Sequence, residues 1–333
     1  MKNISWGILG TGSIAAKFAT ALQSVEGCSL TAVASRSDSR AKEFADRFKA
    51  EKAYGSYEEL AGDQDIDVIY IAVPHTEHKN TAALCIQNNK AVLCEKPFTL
   101  NVKDSEYLIN LAREHKVFLM EAMWTKLLPA NLRVKHWIDD GRIGKVLHIK
   151  ASFGFHADFD INSRLYNPAL GGGALLDVGV YPISYATFLL GKMPDNIVSR
   201  AIIGKSQVDE QNVIILQYKD NVLADLSSSI SAEIGNDALI VGEKGIIKVE
   251  RFWMASSARL YDNKYQCLDT FDEPFRANGY EYEAEEVNRC LREGLLESPF
   301  NPLNVTLDNM KIMDEIRAKW GLIYPQEQFT KSS

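Results

Sequence analysis

The stretch Ile4-Ser5-Trp6-Gly7-Ile8-Leu9-Gly10-Thr11-Gly12-Ser13-Ile14-Ala15 decides the fold. It begins as an apolar strand and continues as a helix, and glycines in the pattern GxGxx[GA] join the two. Gly10 allows a tight turn, Gly12 lets the backbone approach a pyrophosphate, and Ala15 is small enough for close helix–strand packing. Free N–H groups at the start of the helix would face the anion. The stretch predicts a dinucleotide-binding turn, rather than a plain turn, in which the cofactor contacts Gly10, Gly12, Ser13 and Ile14.

The pattern of strands and helices changes once along the chain. Up to about Glu121 they alternate, which is typical of a doubly wound parallel sheet. After residue 122 the strands are short and joined by hairpin turns, and a long apolar helix, Gly173–Leu190, lies between the first two. We expect an α/β protein with a Rossmann-type NADP-binding domain at 1–122. An α+β domain at 123–333 would carry substrate binding and a large, mostly antiparallel, open-faced sheet.

Composition limits the classes of partner. The 333 residues include 37 Lys plus Arg and 44 Asp plus Glu, a net charge of −7 without a basic run. Such a chain is poorly suited to nucleic acids or anionic membranes, so we expect a small-molecule partner. The five cysteines form no CxxC pair, which argues against disulfides and zinc. No secretory leader or membrane-length apolar run is evident, and we expect a cytoplasmic protein.

The residues after the second strand bear on the choice of cofactor. An NAD site usually places an acid there to bind the ribose 2′-hydroxyl. This chain has Ser35-Arg36-Ser37, with Arg40 one helical turn later. A guanidinium pairs well with a 2′-phosphate, and the serines can donate hydroxyls. The pattern favours NADP over NAD, and a solvated surface arginine is the alternative.

Candidate residues for chemistry follow two further strands. Glu95-Lys96-Pro97 ends a buried strand, at the edge of the sheet where doubly wound folds bind ligands. Lys96 would therefore lie beside the nicotinamide, unless Glu95 and Lys96 are only a surface ion pair. His75 and His78 follow the strand that ends at Val73-Pro74. Their spacing could hold a metal, but no third ligand is evident, and we expect them to line the pocket or cap a helix.

The apolar helix carries two polar side chains. Gly171-Gly172-Gly173 opens it, and Asp177 and Tyr181 are four residues apart, which places them on one face. A buried polar pair costs free energy unless it is hydrogen-bonded. Either the two form a structural pair, or both face a cleft between the domains.

In this order and at these distances, the motifs resemble the glucose–fructose oxidoreductase/inositol dehydrogenase (Gfo/Idh/MocA) family. Within it they are most similar to the dimeric dihydrodiol dehydrogenases and the NADP-linked D-xylose dehydrogenases. The resemblance spans nearly the whole chain. It rests on the Gly-rich turn and on the segments 52–60, 91–97, 120–125 and 171–182.

The resemblance implies roles for particular residues. Lys96 would lie beside the reacting carbon, Tyr181 would be the acid/base, and Asp177 would be the acid of the Gly-rich helix. The nicotinamide pocket would be lined by Val73, Pro74, His75 and His78, next to Glu95 and Lys96. Trp124 and Phe153 would line the substrate pocket, to which Phe252, Trp253 or Tyr280 could add. The family also implies a homodimer or higher oligomer built through the second-domain sheet.

These inferences predict an NADP-dependent oxidoreductase that transfers a hydride between nicotinamide and a hydroxyl or carbonyl carbon of a sugar or cyclic diol. An NADPH-dependent reductase of a deoxy- or anhydro-sugar carbonyl would use the same residues in reverse. An oxidoreductase that never releases its cofactor is a further alternative. A non-catalytic NADP-sensing regulator is the alternative from another class, although it would not need Lys96, Asp177 and Tyr181.

Overall fold

The computed structural model describes residues 3–328. Contacts divide them into two compact units, one formed by residues 3–124 with Phe275–Leu307 and the other by Thr125–Pro274 with residues 308–328. The segment Phe275–Leu307, which the sequence-based division assigns to the second domain, therefore packs within the first unit.

A six-stranded parallel sheet forms the centre of the first unit, in the order β3-β2-β1-β4-β5-β6. Its strands are β1 (Ile4–Leu9), β2 (Cys28–Ala34), β3 (Lys52–Tyr54), β4 (Val68–Ile71), β5 (Ala91–Glu95) and β6 (Leu119–Ala122). β1, β4 and β5 are almost entirely buried, as expected for strands covered by helices on both faces. The strand order reverses direction between β1 and β4, the place where such sheets bind dinucleotides.

Helices cover both faces of this sheet. They are α1 (Ser13–Leu22), α2 (Asp38–Phe48), α3 (Tyr57–Gly62), α4 (His78–Gln87) and α5 (Val102–His115). A later helix, α8 (Glu281–Glu293), joins the unit: Trp6 Nε1 donates to Asn288 Oδ1 at 3.0 Å, and Arg292 Nη2 donates to Gly27 O at 2.7 Å.

An eight-stranded sheet forms the second unit, in the order β14-β13-β12-β11-β7-β10-β9-β8. Its strands are β7 (Val146–Gly154), β8 (Asn196–Ile203), β9 (Asp209–Tyr218), β10 (Val222–Ser229), β11 (Ala238–Gly242), β12 (Gly245–Val249), β13 (Ser257–Asp262) and β14 (Cys267–Asp272). All neighbours are antiparallel except β7 and β10. The predicted fold class and the mostly antiparallel second sheet are confirmed.

The remaining helices are α6 (Pro129–Asp139), α7 (Val180–Leu190) and α10 (Pro325–Gln328) in the second unit, and α9 (Leu303–Trp320), which begins in the first unit and continues into the second. The apolar helix is not regular as predicted, because a π-helical turn, Leu175–Gly179, precedes α7. Pro182 explains this: its ring has no N–H and would crowd the carbonyl of Val178 in an α-helix, and a wider turn relieves that contact.

One helical segment, Pro168–Leu190, is long and apolar enough to cross a membrane by length and composition. In its most apolar window 89% of the residues are buried inside the protein. This burial is what a core helix of the second unit requires, and composition alone does not distinguish such a helix from a membrane span.

Candidate active site

The Gly-rich turn between β1 and α1 fits a pyrophosphate. Gly10 has φ of +105°, and a Cβ there would lie 2.4 Å from Ala72 O, so only glycine fits beside the end of β4. A Cβ on Gly12 would meet nothing within 4 Å among the described residues, which leaves open space in front of the turn. In the described part of the chain no side chain caps α1, and its first turn carries no acid. The first N–H groups of α1 are therefore available to an anion.

The end of β2 presents hydroxyls and a guanidinium, as the sequence predicts. Ser35 is buried, Ser37 is half-buried and immediately precedes α2, and Arg36 and Arg40 are exposed. Ser37 N donates to Ser35 Oγ at 3.3 Å, which fixes the turn. The nearest carboxylate in sequence, Asp38, is bound by Lys42 at 2.7 Å.

The turn after β4 contains the two histidines in different settings. His75 is half-buried, and its ring lies 5.8 Å from that of His78. His78 is fully buried, with Nδ1 2.9 Å from Pro97 O and Nε2 3.0 Å from Val73 O. Burial lowers the pKa of His78, so the neutral ring donates to one of these carbonyls. His78 thus supports the turns after β4 and β5 from within the protein, and a direct contact with cofactor stays a prediction.

Glu95 is the most constrained residue of the Glu-Lys-Pro turn. It is buried, accepts a hydrogen bond from Tyr70 Oη, and accepts a second from Lys96 N at 3.2 Å. Burial raises the pKa of Glu95 to about 7, against the lowering effect of the neighbouring Lys96 charge. Glu121 secures the end of the same turn, because it accepts from Phe98 N at 3.2 Å and from Thr306 Oγ1 at 2.9 Å.

In the second unit, the Gly-rich segment is held by Asp209. Asp209 Oδ2 accepts from Leu175 N at 2.7 Å, and a Cβ on Gly173, with φ of +118°, would lie 2.4 Å from Asp209 Oδ1. The glycine is therefore required for close approach to this carboxylate. Asp209 fixes the start of the π-helical turn that carries Asp177, and such turns are frequent at functional sites.

Asp177 and Tyr181 are both buried, and their described partners differ. Arg164 Nη1 donates to Asp177 Oδ1 at 2.6 Å. The ring of Tyr181 lies 5.3 Å from that of Phe153, which stacks on Trp253 at 4.5 Å with the planes 8° apart. The helix therefore presents a paired carboxylate and a phenol beside a flat aromatic surface. In the first unit Trp124 stacks on Tyr280 at 4.3 Å.

Comparison with known proteins identifies the family. A family model described as "Oxidoreductase family, NAD-binding Rossmann fold" matches residues 4–123, and one for the GFO/IDH/MocA C-terminal domain matches residues 131–248. The chain is 39% identical over 328 residues to trans-1,2-dihydrobenzene-1,2-diol dehydrogenase of Xenopus laevis. The aligned region covers 96% of this chain and 99% of the relative. The chain belongs to the Gfo/Idh/MocA family.

Three further proteins to which the chain is similar extend the comparison. The human trans-1,2-dihydrobenzene-1,2-diol dehydrogenase is 33% identical over 339 residues, covering 98% of this chain and 99% of the relative. A solved structure of a 3-ketoreductase from Actinomadura kijaniata, with NADP and TDP-benzene, is 26% identical with a TM-score of 0.83, covering 95% of this chain and 98% of that one. The solved structure of an aldose–aldose oxidoreductase from Caulobacter crescentus has the same fold, with a TM-score of 0.87 at 20% identity. The match covers 96% of this chain and 98% of that one.

This Gfo/Idh/MocA protein is thus an NAD(P)-binding oxidoreductase, and the predicted family, enzyme class and fold are confirmed. Sequence reasoning nevertheless missed the residues that support its site. Tyr70 was hidden in an apolar strand, Arg164 in a loop without periodicity, and Asp209 in a strand far along the chain. Asp209 gave no signal either, because it begins a run of four polar residues, Asp209-Glu210-Gln211-Asn212, that resembles an exposed loop.

Proposed function

We propose that this Gfo/Idh/MocA protein is an NADP-dependent dehydrogenase that oxidises a hydroxyl-bearing carbon of a cyclic trans-diol or of a sugar such as D-xylose. The observation that carries the proposal is the setting of Tyr181, a buried phenol beside the stacked rings of Phe153 and Trp253. Flat aromatic surfaces suit the apolar face of a cyclohexadiene diol or of a pyranose. The dihydrodiol dehydrogenase relatives support the same substrate class.

NADP is the cofactor that the end of β2 favours. Arg36 and Arg40 are exposed, and the Asp38 carboxylate that could bind a ribose 2′-hydroxyl is already paired with Lys42. A 2′-phosphate would receive bidentate hydrogen bonds from a guanidinium and single ones from Ser35 or Ser37. The 3-ketoreductase relative was solved with NADP. The pyrophosphate would bind at Gly10, Gly12 and the start of α1, with Val73, Pro74 and His75 lining the nicotinamide side.

Tyr181 would act as the acid/base and Lys96 as its electrostatic partner. The nicotinamide accepts the hydride when it is bound. A free tyrosine has a pKa of about 10, too high for a base near neutrality. An ammonium at about 4 Å in a medium of effective dielectric ~20 favours the phenolate by roughly 4 kcal/mol, or about three pKa units. Burial opposes this, so the role requires Lys96 to lie close to the phenol.

Asp177 would orient the substrate or Tyr181 and would not remove a proton itself. Its carboxylate is buried and bound by the Arg164 guanidinium at 2.6 Å, which stabilises the charged form and makes it a weak base. Trp124 and Phe153 would contact the body of the substrate, and neighbouring hydroxyls would bind Asp177.

An activity screen tests the proposal directly. Purified protein is assayed with NADP and trans-dihydrodiols, D-xylose and inositols, and separately with NADPH and deoxy- or anhydro-sugar carbonyls. NADP-linked oxidation of a cyclic diol or aldose is expected. Activity confined to carbonyl reduction would replace the proposal by the reductase alternative, which the 3-ketoreductase relative favours. Cofactor binding without turnover of any substrate would point to a regulator.

A homodimer or higher oligomer is proposed through the outer face of the second-unit sheet. On β8, β9 and β10 this face exposes large apolar side chains, which are Val198, Ile202, Val213, Ile215 and Leu223. Val198 and Ile215 are direct partners in the β8–β9 ladder, so the apolar surface is continuous across strands. An exposed apolar surface of this kind marks an interaction site, and a second copy of the same sheet would cover it. We also propose the cytoplasm as the location.

A further inference from the structure

Two side chains late in the chain bind the backbone of the Gly-rich segment in the second unit. Tyr324 is fully buried, and its Oη donates to Gly172 O at 2.7 Å, across 152 positions of sequence. Gln326, an exposed residue of α10, donates through Nε2 to Ala169 O, also at 2.7 Å. Both acceptors precede the π-helical turn that carries Asp177, so the two donors hold the backbone that leads into it.

A buried ion pair fixes the position of Tyr324. Arg317, on α9, is 5% exposed, and its guanidinium donates to both carboxylate oxygens of Glu327, at 2.7 and 2.9 Å. The same guanidinium donates to Asp314 Oδ1 at 2.6 Å, and its Cζ lies 5.1 Å from the centroid of the Tyr324 ring. Glu327 Oε2 also accepts from Tyr324 N at 2.9 Å. A bidentate pair restricts orientation as well as distance, so the Tyr324 hydroxyl is presented to Gly172 in a fixed geometry.

Gly172 packs directly against the loop that carries Arg164. A Cβ on Gly172 would lie 2.7 Å from Leu165 O and 3.0 Å from Arg164 O, so the two backbones touch with no side chain between them. Gly173 N donates to Leu165 O at 2.8 Å, which joins the same two segments. A displacement of Gly172 must therefore move the backbone of Arg164 or break this hydrogen bond.

Both members of the Arg164–Asp177 ion pair are attached to this contact. Arg164 lies next to Leu165, the acceptor for Gly173 N, and Asp177 N donates to Gly173 O at 3.2 Å. The guanidinium reaches Asp177 Oδ1 at 2.6 Å from a side chain that is 59% exposed, so packing around the arginine does little to hold it. Its alignment with the carboxylate depends on where the two backbones are placed.

We propose that Tyr324 and Gln326 are positioning residues for Asp177: they hold the backbone of residues 169–172 and thereby align Arg164 with the Asp177 carboxylate. The contacts that carry this inference all lie within the second unit. The effect on turnover rests on the proposed function, in which Asp177 orients the substrate. In this role Tyr324 touches no reacting group and acts only through Arg164.

A double-variant cycle tests whether Tyr324 acts through Arg164. Tyr324→Phe keeps the ring and removes one hydrogen bond, so kcat should fall about fivefold, less than on loss of Arg164 itself. In protein that already carries R164A, the same change should lower kcat by less than about twofold, because the ion pair that it supports is absent. The dissociation constant of NADP should stay as in native protein, since NADP is proposed to bind the first unit. An unchanged kcat in Y324F, or an equal fall in both backgrounds as a merely structural role would give, would overturn the positioning role.

Hydrogen exchange tests the same contact without any turnover. In Y324F the peptides that span residues 163–179 should exchange their amide protons about five- to tenfold faster, because the amides of Gly173 and Asp177 belong to the backbone that Tyr324 holds. The ladder between β9 and β10 should exchange as in native protein. Tyr218→Phe is the matched control and should alter neither region, because Tyr218 is also a buried phenol of the second unit, but its hydroxyl has no hydrogen-bond partner among the described residues. Acceleration spread evenly over the second unit, or none in residues 163–179, would contradict the proposal.

Gln326→Ala is a second variant that should fold whether or not Y324F does, because Gln326 is exposed. It removes the other donor to this backbone and should accelerate exchange in residues 163–179 about twofold. Unchanged exchange in Q326A would refute the role of Gln326 and, if Y324F does not fold, the proposal as a whole. If native protein turns over no substrate, the proposed function fails, while the exchange pattern still decides whether Tyr324 and Gln326 hold this backbone.

Discussion

Arg164 Nη1 donates to Asp177 Oδ1 at 2.6 Å, and the two side chains differ sharply in exposure, 59% for the arginine and 6% for the aspartate. The guanidinium thus lies at the surface of the second unit while its partner lies inside, one helical turn before Tyr181. This arrangement neutralises a buried charge without filling the interior with a second polar side chain. It also fixes the orientation of the carboxylate that the sequence singled out.

We expect Arg164→Ala to lower kcat roughly tenfold, because a charge-assisted hydrogen bond of about 1.5–3 kcal/mol is partly replaced by water at an exposed site. Asp177→Asn should cost more, since it leaves Arg164 unpaired and changes the group that faces the substrate. Steady-state kinetics with the substrate found in the screen measure both. Equal activity of R164A and native protein would show that Arg164 is dispensable.

Lys96→Met should reduce kcat about a thousandfold or more and leave the dissociation constant of NADP nearly unchanged. The lost stabilisation of a phenolate, roughly 4 kcal/mol, corresponds to that factor. Tyr181→Phe should have a comparable effect, and the double variant should be little worse than either single one, because the two groups act as a unit. Lys103→Met removes an exposed lysine of α5 and serves as the control. Unchanged turnover in K96M would defeat the assignment.

Arg36→Ala should weaken NADP binding about ten- to a hundredfold and leave NAD binding unchanged, since the side chain is proposed to contact only the 2′-phosphate. Isothermal titration with both nucleotides measures the two constants. Arg47→Ala is the matched control, because Arg47 is also on α2 but its guanidinium lies 4.8 Å over the ring of Phe48. A parallel loss of NAD and NADP affinity in R36A would mean that Arg36 supports the turn and does not select the cofactor.

Ile215→Arg should dissociate the oligomer, because it places a charge in the middle of the apolar face formed by β8, β9 and β10. Sedimentation or light scattering would then report a smaller mass than for the native protein. Leu268→Arg changes another exposed apolar residue, on β14 at the opposite edge of the sheet, and should leave the mass unaltered. A native protein that is already monomeric would refute the proposed interface.

The sequence predicted the fold well where the signal is local. The Gly-rich turn needs only Gly10 and Gly12 in register with a strand and a helix, and the buried parallel strands appear as apolar runs. The strands β3, β13 and β14 were not predicted, because they are short or polar. Apolar and polar residues that alternate over so few positions cannot be distinguished from alternation that arises by chance.

The residues that support the site depend on contacts distant in sequence, which periodicity does not reveal. Glu283 has the sequence context of an ordinary surface helix, and only the packing of α8 within the first unit shows that it is buried. The π-helical turn was also missed, because Pro182 inside the predicted helix Gly173–Leu190 indicates an irregularity there but not which kind of turn relieves it. Local sequence patterns therefore identify the candidate catalytic residues, whereas the residues that support them are recognised only in the tertiary structure.

Asp209 should make the stability of the protein pH-dependent. It is buried, accepts hydrogen bonds from Leu175 N at 2.7 Å and Asn212 Nδ2 at 2.9 Å, and its Oδ1 has no partner among the described residues. Burial raises the pKa of Asp209 to about 7, whereas an unfolded aspartate has a pKa of about 3.9. Between these values the folded protein holds a proton that the unfolded chain releases, so the free energy of unfolding falls by up to about 4 kcal/mol as pH rises from 4 to 7.

Asp209→Asn stays neutral throughout and should therefore flatten this part of the stability curve, while it retains one acceptor for Leu175 N. Urea unfolding of native protein and D209N at several pH values between 4 and 8 measures the difference in slope. Asp225→Asn, a change of the same kind on the neighbouring strand β10, should leave the slope as it is in the native protein. Parallel curves for D209N and native protein would mean that Asp209 is ionised in the folded state at low pH, and that its hydrogen bonds to Leu175 and Asn212 outweigh the cost of its burial.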